Sequence, residues 1–228
     1  ATLFGSCLSV IYLRNFQNKK GELQMLSYDT VERQTLELLK GLMREPAFVD
    51  MRLVGGTALA LQYGHRQSVD LDFFGDLQCE LDEMQALLSK YGKVKVLKET
   101  KAIRIYIING VKVDFVHYSC YPWLDDAIVE DDLRLASTKD IAAMKVNAIE
   151  GRGTRKDFVD IYFLLKNYKL TEILDFYKEK YPNYSDFRAL MSLTYFEDAE
   201  MQPMPKMFDK TPWTEMKAAI LREVRDIQ

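Results

Sequence analysis

The sequence predicts an α+β fold: a small mixed β-sheet with helices, followed by a helical C-terminal region. Three observations predict it. Short β-rich runs alternate with helical segments up to residue 117, two of these runs form an evident hairpin, and helical periodicity dominates afterwards. Hydrophobic residues make up 48% of the 228 residues, enough to fill a large core. We therefore expect an N-terminal extension at 1–24, a sheet domain at 25–120 and a helical domain at 121–228.

The first part of the sheet domain alternates helices with strands. A helix is predicted from about Val31 to Arg44, with Ser27 or Asp29 as its N-cap, because apolar residues recur there at helical spacing. The elements predicted next are a strand at Met51 to Val54, a turn at Gly55-Gly56, a helix at Thr57 to Tyr63, a strand at Ser68 to Phe74, a helix at Leu81 to Tyr91 and a strand at Val94 to Leu97.

The clearest local signal is a β-hairpin. Two β-rich runs, Ile103 to Ile108 and Val111 to His117, are separated only by Asn109-Gly110. Asparagine followed by glycine supplies the positive φ that a type I′ turn requires at both of its central positions. The turn therefore predicts two antiparallel neighbouring strands.

After His117 the pattern is helical, and we expect no further strands. Thr211 and Pro212 suit the N-cap and first turn of the last helix, and the segment 202–206, with two prolines, reads as a loose connector. The predicted helices lie near 138–150, 155–167, 171–180, 185–195 and 212–225.

Charge, cysteines and the N-terminus exclude several classes of protein. The net charge of −3, from 31 basic and 34 acidic residues, argues against a protein that grips a long duplex through its phosphates. Three scattered cysteines and two histidines make a zinc site improbable and favour free thiols in a reducing cytosol. The apolar run from Leu3 to Leu13 lacks the layout of a signal peptide and is too short to span a bilayer. We expect a cytoplasmic protein without a membrane partner.

Three carboxylates mark a candidate metal site. Asp70 and Asp72 are two apart on a predicted strand, so both point to one face, while Val69, Leu71 and Phe73 form an apolar opposite face. Asp114 lies in the second strand of the hairpin and completes the cluster if that strand lies beside the first. Oxygen ligands of this kind suit Mg²⁺ or Mn²⁺. Three carboxylates are also what two-metal phosphoryl transfer requires.

Simpler explanations remain open at this point. Asp70 and Asp72 would also fit a half-exposed sheet facing solvent. Gly55-Gly56-Thr57 ends a strand and opens a helix, where backbone N–H groups can approach phosphate, although an ordinary tight turn has the same residues. A glycosyltransferase that uses D-x-D to hold a sugar nucleotide is a further alternative, but the early glycine turn and the third acid argue against it.

Several segments together resemble the AbiEii/AbiGii toxin family of nucleotidyltransferases, which belongs to the polymerase β superfamily. The likeness covers roughly residues 27–170. It is carried by Gly-Gly-Thr-Ala-Leu-Ala-Leu-Gln at 55–62, His-Arg-Gln-Ser-Val-Asp-Leu-Asp-Phe-Phe at 65–74 and Lys-Val-Asp-Phe at 112–115, and it continues at 140–145 and 155–165. The resemblance implies a bacterial enzyme whose helical domain completes the active site.

The resemblance also implies roles for individual residues. Gly56 and Thr57 would hold the β- and γ-phosphates of a nucleoside triphosphate, and Gly55 would belong to the same nucleotide-binding turn. Asp70, Asp72 and Asp114 would be the metal ligands, with Asp114 also a candidate base. The remaining implied or candidate site residues are Arg66, Ser68, Lys145, Asp157 and Asp160, of which Lys145 would contact the triphosphate and Asp160 would be the functional acid of the last motif.

Alternatives for these side chains are structural. Lys145 would otherwise be a solvated helix lysine, and Asp157 a helix cap or the partner of an arginine. Arg66 would either reach phosphate with both arms of its guanidinium or form a salt bridge. Ser68 would orient Asp70 or simply begin the strand.

The acceptor is less well defined than the donor. Six basic residues between Lys90 and Arg104, and a second group at Arg152, Arg155 and Lys156, would guide a tRNA or other RNA end, or would merely solubilise the surface. Tyr63, Tyr106 and Tyr118 would stack on a base or lie in the core. The resemblance implies tRNA modification and a cognate antitoxin; modification of a protein or small molecule remains an alternative.

Overall fold

A seven-stranded mixed sheet forms the centre of the computed structural model, which describes residues 25–227. The strand order is β3-β4-β5-β2-β1-β7-β6. The strands are β1 (Met51–Val54), β2 (Leu71–Gly75), β3 (Val94–Glu99), β4 (Ile103–Ile108), β5 (Val111–His117), β6 (Ile128–Glu130) and β7 (Leu133–Leu135). The α-helices are α1 (Arg33–Arg44), α2 (Gly55–Tyr63), α3 (Leu81–Leu88), α4 (Thr138–Gly151), α5 (Arg155–Leu164), α6 (Leu170–Lys180), α7 (Asp186–Ser192), α8 (Glu197–Glu200) and α9 (Trp213–Arg225). The predicted α+β class is confirmed.

The hairpin prediction is confirmed for both strands and for the turn between them. β4 and β5 have the predicted limits and pair antiparallel. The turn residues have positive φ, 49° at Asn109 and 89° at Gly110, as the type I′ interpretation requires. Because this turn is only two residues long, it determines which residues of β4 and β5 face each other.

β2 lies between β1 and β5, and this arrangement positions the candidate site. It runs antiparallel to β1 and parallel to β5. The strand that carries Asp114 therefore lies beside the strand that carries Asp72, as the sequence predicted, and the two residues are register partners.

Two strands after His117 contradict the expectation of a purely helical second half. β7 pairs parallel with β1 through Leu53 and Leu135, and β6 pairs antiparallel with β7 at the sheet edge. Each is only three residues long, too short for alternation to be recognised in the sequence. The domain boundary at 120 stays a prediction, but the segment 121–228 contributes strands to the sheet as well as helices.

The strand around the first two acids starts later than predicted. β2 begins at Leu71 rather than Ser68, because the Ser68 backbone N–H donates to the carbonyl of Thr30 and the chain joins the sheet only afterwards. Asp70 thus precedes the strand. Val69 was expected on the apolar face but is 54% exposed, whereas Leu71 and Phe73 are fully buried.

Helix ends also differ from the predictions in places. Glu32 occupies the N-cap position of α1, and Ser27 instead precedes a short 3₁₀ turn, so neither predicted cap is used. Pro212, not Thr211, is the N-cap residue of α9. The helix predicted at 81–91 ends in a 3₁₀ turn over its last three residues, and α8 was not predicted.

The core lies mainly on one face of the sheet and between the C-terminal helices. Phe73 stacks on Phe115 with ring centroids 5.2 Å apart, and Phe48 packs against Phe115 at 4.6 Å. Tyr106 is fully buried beside them, which supports its core role over base stacking. Burial of these large rings accounts for much of the hydrophobic stabilisation in this part of the fold.

Two further sequence expectations concern membranes and thiols. Within residues 25–227, no helix combines the length and apolarity needed to cross a bilayer. Of the cysteines in this range, Cys79 is buried and Cys120 is exposed, both as free thiols; Cys7 and the predicted N-terminal extension lie outside the described residues.

Candidate active site

Asp72 and Asp114 face the same side of the sheet, directly opposite each other. They are register partners in the parallel pair β2–β5, while their neighbours Phe73 and Phe115 point together into the core. Asp70 lies just before β2. We call Asp70, Asp72 and Asp114 the carboxylate cluster.

The cluster carries more negative charge than the protein compensates. The pKa of Asp72 is raised to about 6, first by burial and then by the charges of Asp114 and Asp70. Lys112 and Lys145 oppose this shift but do not cancel it. A carboxyl whose ionised form is disfavoured in this way is suited to a site that gains positive charge when a ligand binds.

Two lysines form ion pairs with Asp114 and Asp70 of the cluster. Lys112 Nζ lies 2.7 and 2.6 Å from the two carboxylate oxygens of Asp114, and Lys156 Nζ lies 3.4 Å from Asp70 Oδ2. With the side chains placed this way, no group of three His, Cys, Asp or Glu within residues 25–227 is arranged to hold a metal ion. The oxygen ligands, their shared face and their excess charge fit Mg²⁺ or Mn²⁺ provided that these lysines move aside.

The glycine turn lies against Asp72. α2 begins at Gly55, which has φ of +68°, and no side chain caps its N-terminus. A Cβ at Gly55 would lie 2.5 Å from Asp72 Oδ2, and a Cβ at Gly56 would lie 2.1 Å from Arg66 Nη2. Side chains are therefore excluded where the backbone N–H groups of the first turn approach the carboxylate cluster.

The side chains of Thr57 and Ser68 form hydrogen bonds that hold the segment before β2, and they do not face a ligand site. The Thr57 hydroxyl lies 2.9 Å from Ser68 Oγ and donates to the carbonyl of Asp70. Thr57 is only 1% exposed, so its side chain is not free to hold phosphate. Ser68 contacts Thr57 and lies before the start of β2 at Leu71, so it does not begin the strand, and its orienting role towards Asp70 stays a prediction.

Behind the cluster, Asp160 is fully buried and is bound by two cationic side chains and a histidine. Arg66 binds it with two arms of its guanidinium, Nε to Oδ1 at 2.7 Å and Nη2 to Oδ2 at 2.9 Å. Lys145 Nζ lies 2.6 Å from Oδ2, and His65 Nε2 lies 2.8 Å from Oδ1. We call these residues, together with Asp157, the buried ion network. Both arms of the Arg66 guanidinium are thus engaged in the salt bridge that was its alternative, and the functional role of Asp160 stays a prediction.

Asp157 extends the network towards the surface. It accepts from Lys145 Nζ at 2.9 Å and from Arg152 Nε at 3.1 Å. Burial alone would raise the pKa of Asp157 and Asp160, but their cationic partners outweigh it and hold both values below the usual range. Lys145 is 4% exposed, which rules out the solvated-lysine alternative.

Sequence reasoning missed several of these contacts. His65 was seen only as part of a motif, although it touches Asp160, and the pairing of Lys112 and Lys156 with the cluster was not foreseen. The one available signal was that Lys112 alternates onto the same strand face as Asp114.

The two predicted basic groups are only partly free. Arg104 is buried, and its Nη1 donates to the Glu80 carbonyl at 3.3 Å. Arg155 Nε donates to the Ala199 carbonyl at 2.8 Å. Within the described residues, Arg152 and Lys156 pair with acids, so the second group is not a free basic surface.

Comparisons with known proteins identify the family of this chain. A family model described as "Nucleotidyl transferase AbiEii toxin, Type IV TA system" matches residues 37–228. An uncharacterized protein of Aquifex aeolicus (strain VF5) is 36% identical over 183 residues, which cover 78% of this chain and 87% of that protein.

Solved structures show the same fold at low identity. MenT4, a nucleotidyltransferase toxin from Mycobacterium tuberculosis H37Rv, is similar with a TM-score of 0.54 and 11% identity, over 86% of this chain and 82% of that chain. A candidate nucleotidyltransferase from H. pylori is similar with a TM-score of 0.51 and 20% identity, over 86% of this chain and 95% of that chain. The fold is that of nucleotidyltransferases, and on the family match this chain is a transferase enzyme that belongs to the AbiEii family of nucleotidyl transferase toxins.

Proposed function

We propose that this enzyme transfers a nucleotide from a nucleoside triphosphate to an RNA end, such as that of a tRNA, in a reaction that depends on Mg²⁺ or Mn²⁺. The toxin of a toxin–antitoxin or phage-defence system is the corresponding cellular role, with a cognate antitoxin as partner. The single observation that supports this chemistry is the register of Asp72 opposite Asp114. This pair lies beside the N-terminus of α2, whose first two residues are glycines.

The donor triphosphate would lie at the start of α2. The uncapped backbone N–H groups of Gly55 and Gly56 offer donors to phosphate oxygens, and the helix dipole favours negative charge there. Lys145 stays the predicted side-chain contact to the triphosphate. Its ammonium can release Asp157, which Arg152 also binds, and keep Asp160.

Asp70, Asp72 and Asp114 would hold the divalent cations. When bound, such ions lower the pKa of an attacking hydroxyl and stabilise negative charge on the leaving group. Lys112 and Lys156 must then leave the cluster, and each has a flexible stem and a partly exposed ammonium that permits this.

In the proposed transfer, one P–O bond forms and another breaks. A hydroxyl of the acceptor attacks the α-phosphorus, and a new P–O ester bond forms. The bond between the α-phosphorus and the bridging oxygen breaks, pyrophosphate leaves, and the hydroxyl proton passes to Asp114. The buried ion network joins α4 and α5 to the segment that follows α2 and so would keep these groups in place.

The test identifies donor and acceptor together. The protein is incubated with each of the four α-³²P-labelled ribonucleoside triphosphates, Mg²⁺, and either total RNA or total protein from cells. We expect one triphosphate to label an RNA band, and Asp72→Asn or chelation of the metal to abolish the label. Label that survives in Asp72→Asn would contradict the proposed site, and label confined to protein would replace the RNA acceptor by the alternative.

A further inference from the structure

The face of the sheet that carries the carboxylate cluster continues beyond β5 to the sheet edge. Residues directly opposite each other on neighbouring strands share a face. One row runs from Asp114 to Ile105 on β4 and then to Lys98 on β3, and the next row runs from Lys112 to Ile107 to Lys95. The site thus opens onto a strip of two isoleucines bordered by two lysines, which we call the lysine strip (Lys95, Lys98, Ile105 and Ile107).

This face is only partly covered by the rest of the molecule. Along β4, Ile103, Ile105 and Ile107 are half-buried, while the alternating residues Arg104 and Tyr106 are buried in the opposite face. Lys95 and Lys98 are exposed. Among residues 25–227, no acid lies within ion-pair distance of either lysine, unlike Lys112 and Lys156, which both engage the cluster.

The dimensions of the lysine strip suit a single polyanionic strand. Neighbouring strands lie about 4.8 Å apart, so Lys98 is attached about 10 Å across the sheet from Asp114. The rows of Lys98 and Lys95 are two residues apart along β4, or about 7 Å. This spacing resembles that of successive phosphates, and the isoleucines between the lysines and the acids present an apolar surface to sugars and bases.

We infer that the lysine strip binds the single-stranded end of the RNA acceptor and guides its terminal hydroxyl to Asp114. Phosphates would contact Lys95 and Lys98, and the last nucleotides would lie over Ile105 and Ile107. The inference rests on the proposed function and names the path of its acceptor. A strand fits better than a duplex because the strip offers few cations and the whole chain has a net charge of −3.

The experiment neutralises the strip and compares it with lysines elsewhere. Lys95→Gln/Lys98→Gln is matched by Lys178→Gln/Lys210→Gln, which removes the same charge from two exposed lysines outside the strip and outside the basic group at 90–104. Binding of a labelled single-stranded oligoribonucleotide is measured by fluorescence anisotropy from 50 to 300 mM salt. Triphosphate binding in Mg²⁺ is measured separately by calorimetry.

We expect the strip variant to bind RNA about tenfold more weakly or worse and to lose about 1.4 from the slope of log K against log salt, since each single-strand phosphate contact contributes about 0.7. The Kd for triphosphate stays unchanged, and the control variant matches the wild type. Ile107→Thr should weaken RNA binding without changing the salt slope, because it removes an apolar contact only.

The outcomes separate the two levels of the proposal. If the wild type labels RNA and both double variants have the same slope and affinity, the lysine strip is wrong while the proposed function stands. If the wild type labels no RNA, the RNA acceptor itself fails and the strip fails with it. If the wild type labels protein, and the strip variant reduces that label, the strip serves a protein acceptor instead and the RNA path is overturned.

Discussion

Two groups of charged residues lie next to each other in this enzyme and differ in how their charge is compensated. In the buried ion network, Asp160 is fully enclosed, and Arg66, Lys145 and His65 all bind it. In the carboxylate cluster, Asp72 lies beside two further acids, and its pKa is raised to about 6, by burial and then by their charges. The charges of the buried ion network are balanced within the protein, whereas those of the carboxylate cluster are not.

From this difference we infer that the buried ion network stabilises the fold, whereas the carboxylate cluster is the group proposed to act on substrate. A buried carboxylate with strong cationic partners contributes to stability only as long as every partner remains. A half-buried carboxylate among like charges costs stability, and a protein retains such a group where a bound cation offsets the cost. Activity and stability should therefore respond in opposite ways to substitutions in the two groups.

Removing charge from the cluster should have the largest effect on activity. For Asp72→Asn we expect a loss of about a thousandfold or more in nucleotide transfer, comparable to removing a main electrostatic group from an active site. In metal-free buffer the melting temperature should rise, because repulsion from Asp114 and Asp70 is relieved. Transfer assays and thermal melts of the same preparation check both. A lower melting temperature would show that Asp72 supports the fold.

Removing charge from the network should instead destabilise the protein. Asp160→Ala leaves Arg66 and Lys145 buried without their shared partner, and we expect a loss of about 3–5 kcal/mol in the free energy of unfolding. Urea denaturation measures it. Arg33→Ala, which removes an exposed ion pair with Glu37, is the control and should change stability by less than about 0.5 kcal/mol. Equal effects of the two substitutions would remove the distinction between the groups.

Two glycines with positive φ separate backbone strain from crowding of the site. Gly55→Ala and Gly110→Ala should each cost about 1–2 kcal/mol of stability, because a Cβ is disfavoured in the left-handed region. Only Gly55→Ala should also reduce transfer, by tenfold or more, since its Cβ would meet Asp72 while Gly110 has open space around it. Steady-state kinetics beside denaturation of both variants tests this, and equal activity of the two would disprove crowding.

The pH dependence of stability should reverse its sign between the two groups. The raised pKa of Asp72 means that its ionised form destabilises the metal-free fold at pH 7, and this cost begins to fall near pH 6 and is gone only below about pH 4, the ordinary range of an aspartate. Asp157 and Asp160 have lowered pKa values, so their stabilisation is complete above about pH 4 and is lost as pH falls further. Melting temperatures from pH 8 to 2.5 should thus rise and then fall. Asp72→Asn should remove the rise alone.

The sequence predicted those features of the carboxylate cluster that depend on strand alternation and on turn type. The Asn109-Gly110 turn determined both strands of the hairpin, and placing β5 beside β2 brought Asp114 opposite Asp72. The late start of β2 and the short strands β6 and β7 were missed, because tertiary pairing rather than local pattern determines them.

The buried ion network could not be predicted from the same reasoning. Lys145 and Asp160 lie on different helices, and no periodicity says that these helices face each other through Arg66. Thr57 was assigned to phosphate because its motif allows it, but only the coordinates show that its hydroxyl is already used by Asp70. The sequence patterns identified the charged residues but not which of them would form ion pairs within the protein.

The length of the two-residue hairpin turn determines which face of the sheet Asp114 occupies, and with it the proposed chemistry. Side chains of a strand alternate between its two faces, so one residue added between Ile108 and Val111 that shifted the pairing by one position would turn Asp114 inwards and Val113 outwards. Two added residues could be absorbed by a longer loop with the facing preserved. We therefore expect a one-residue insertion that shifts this pairing to reduce nucleotide transfer more than a two-residue insertion that a longer loop absorbs.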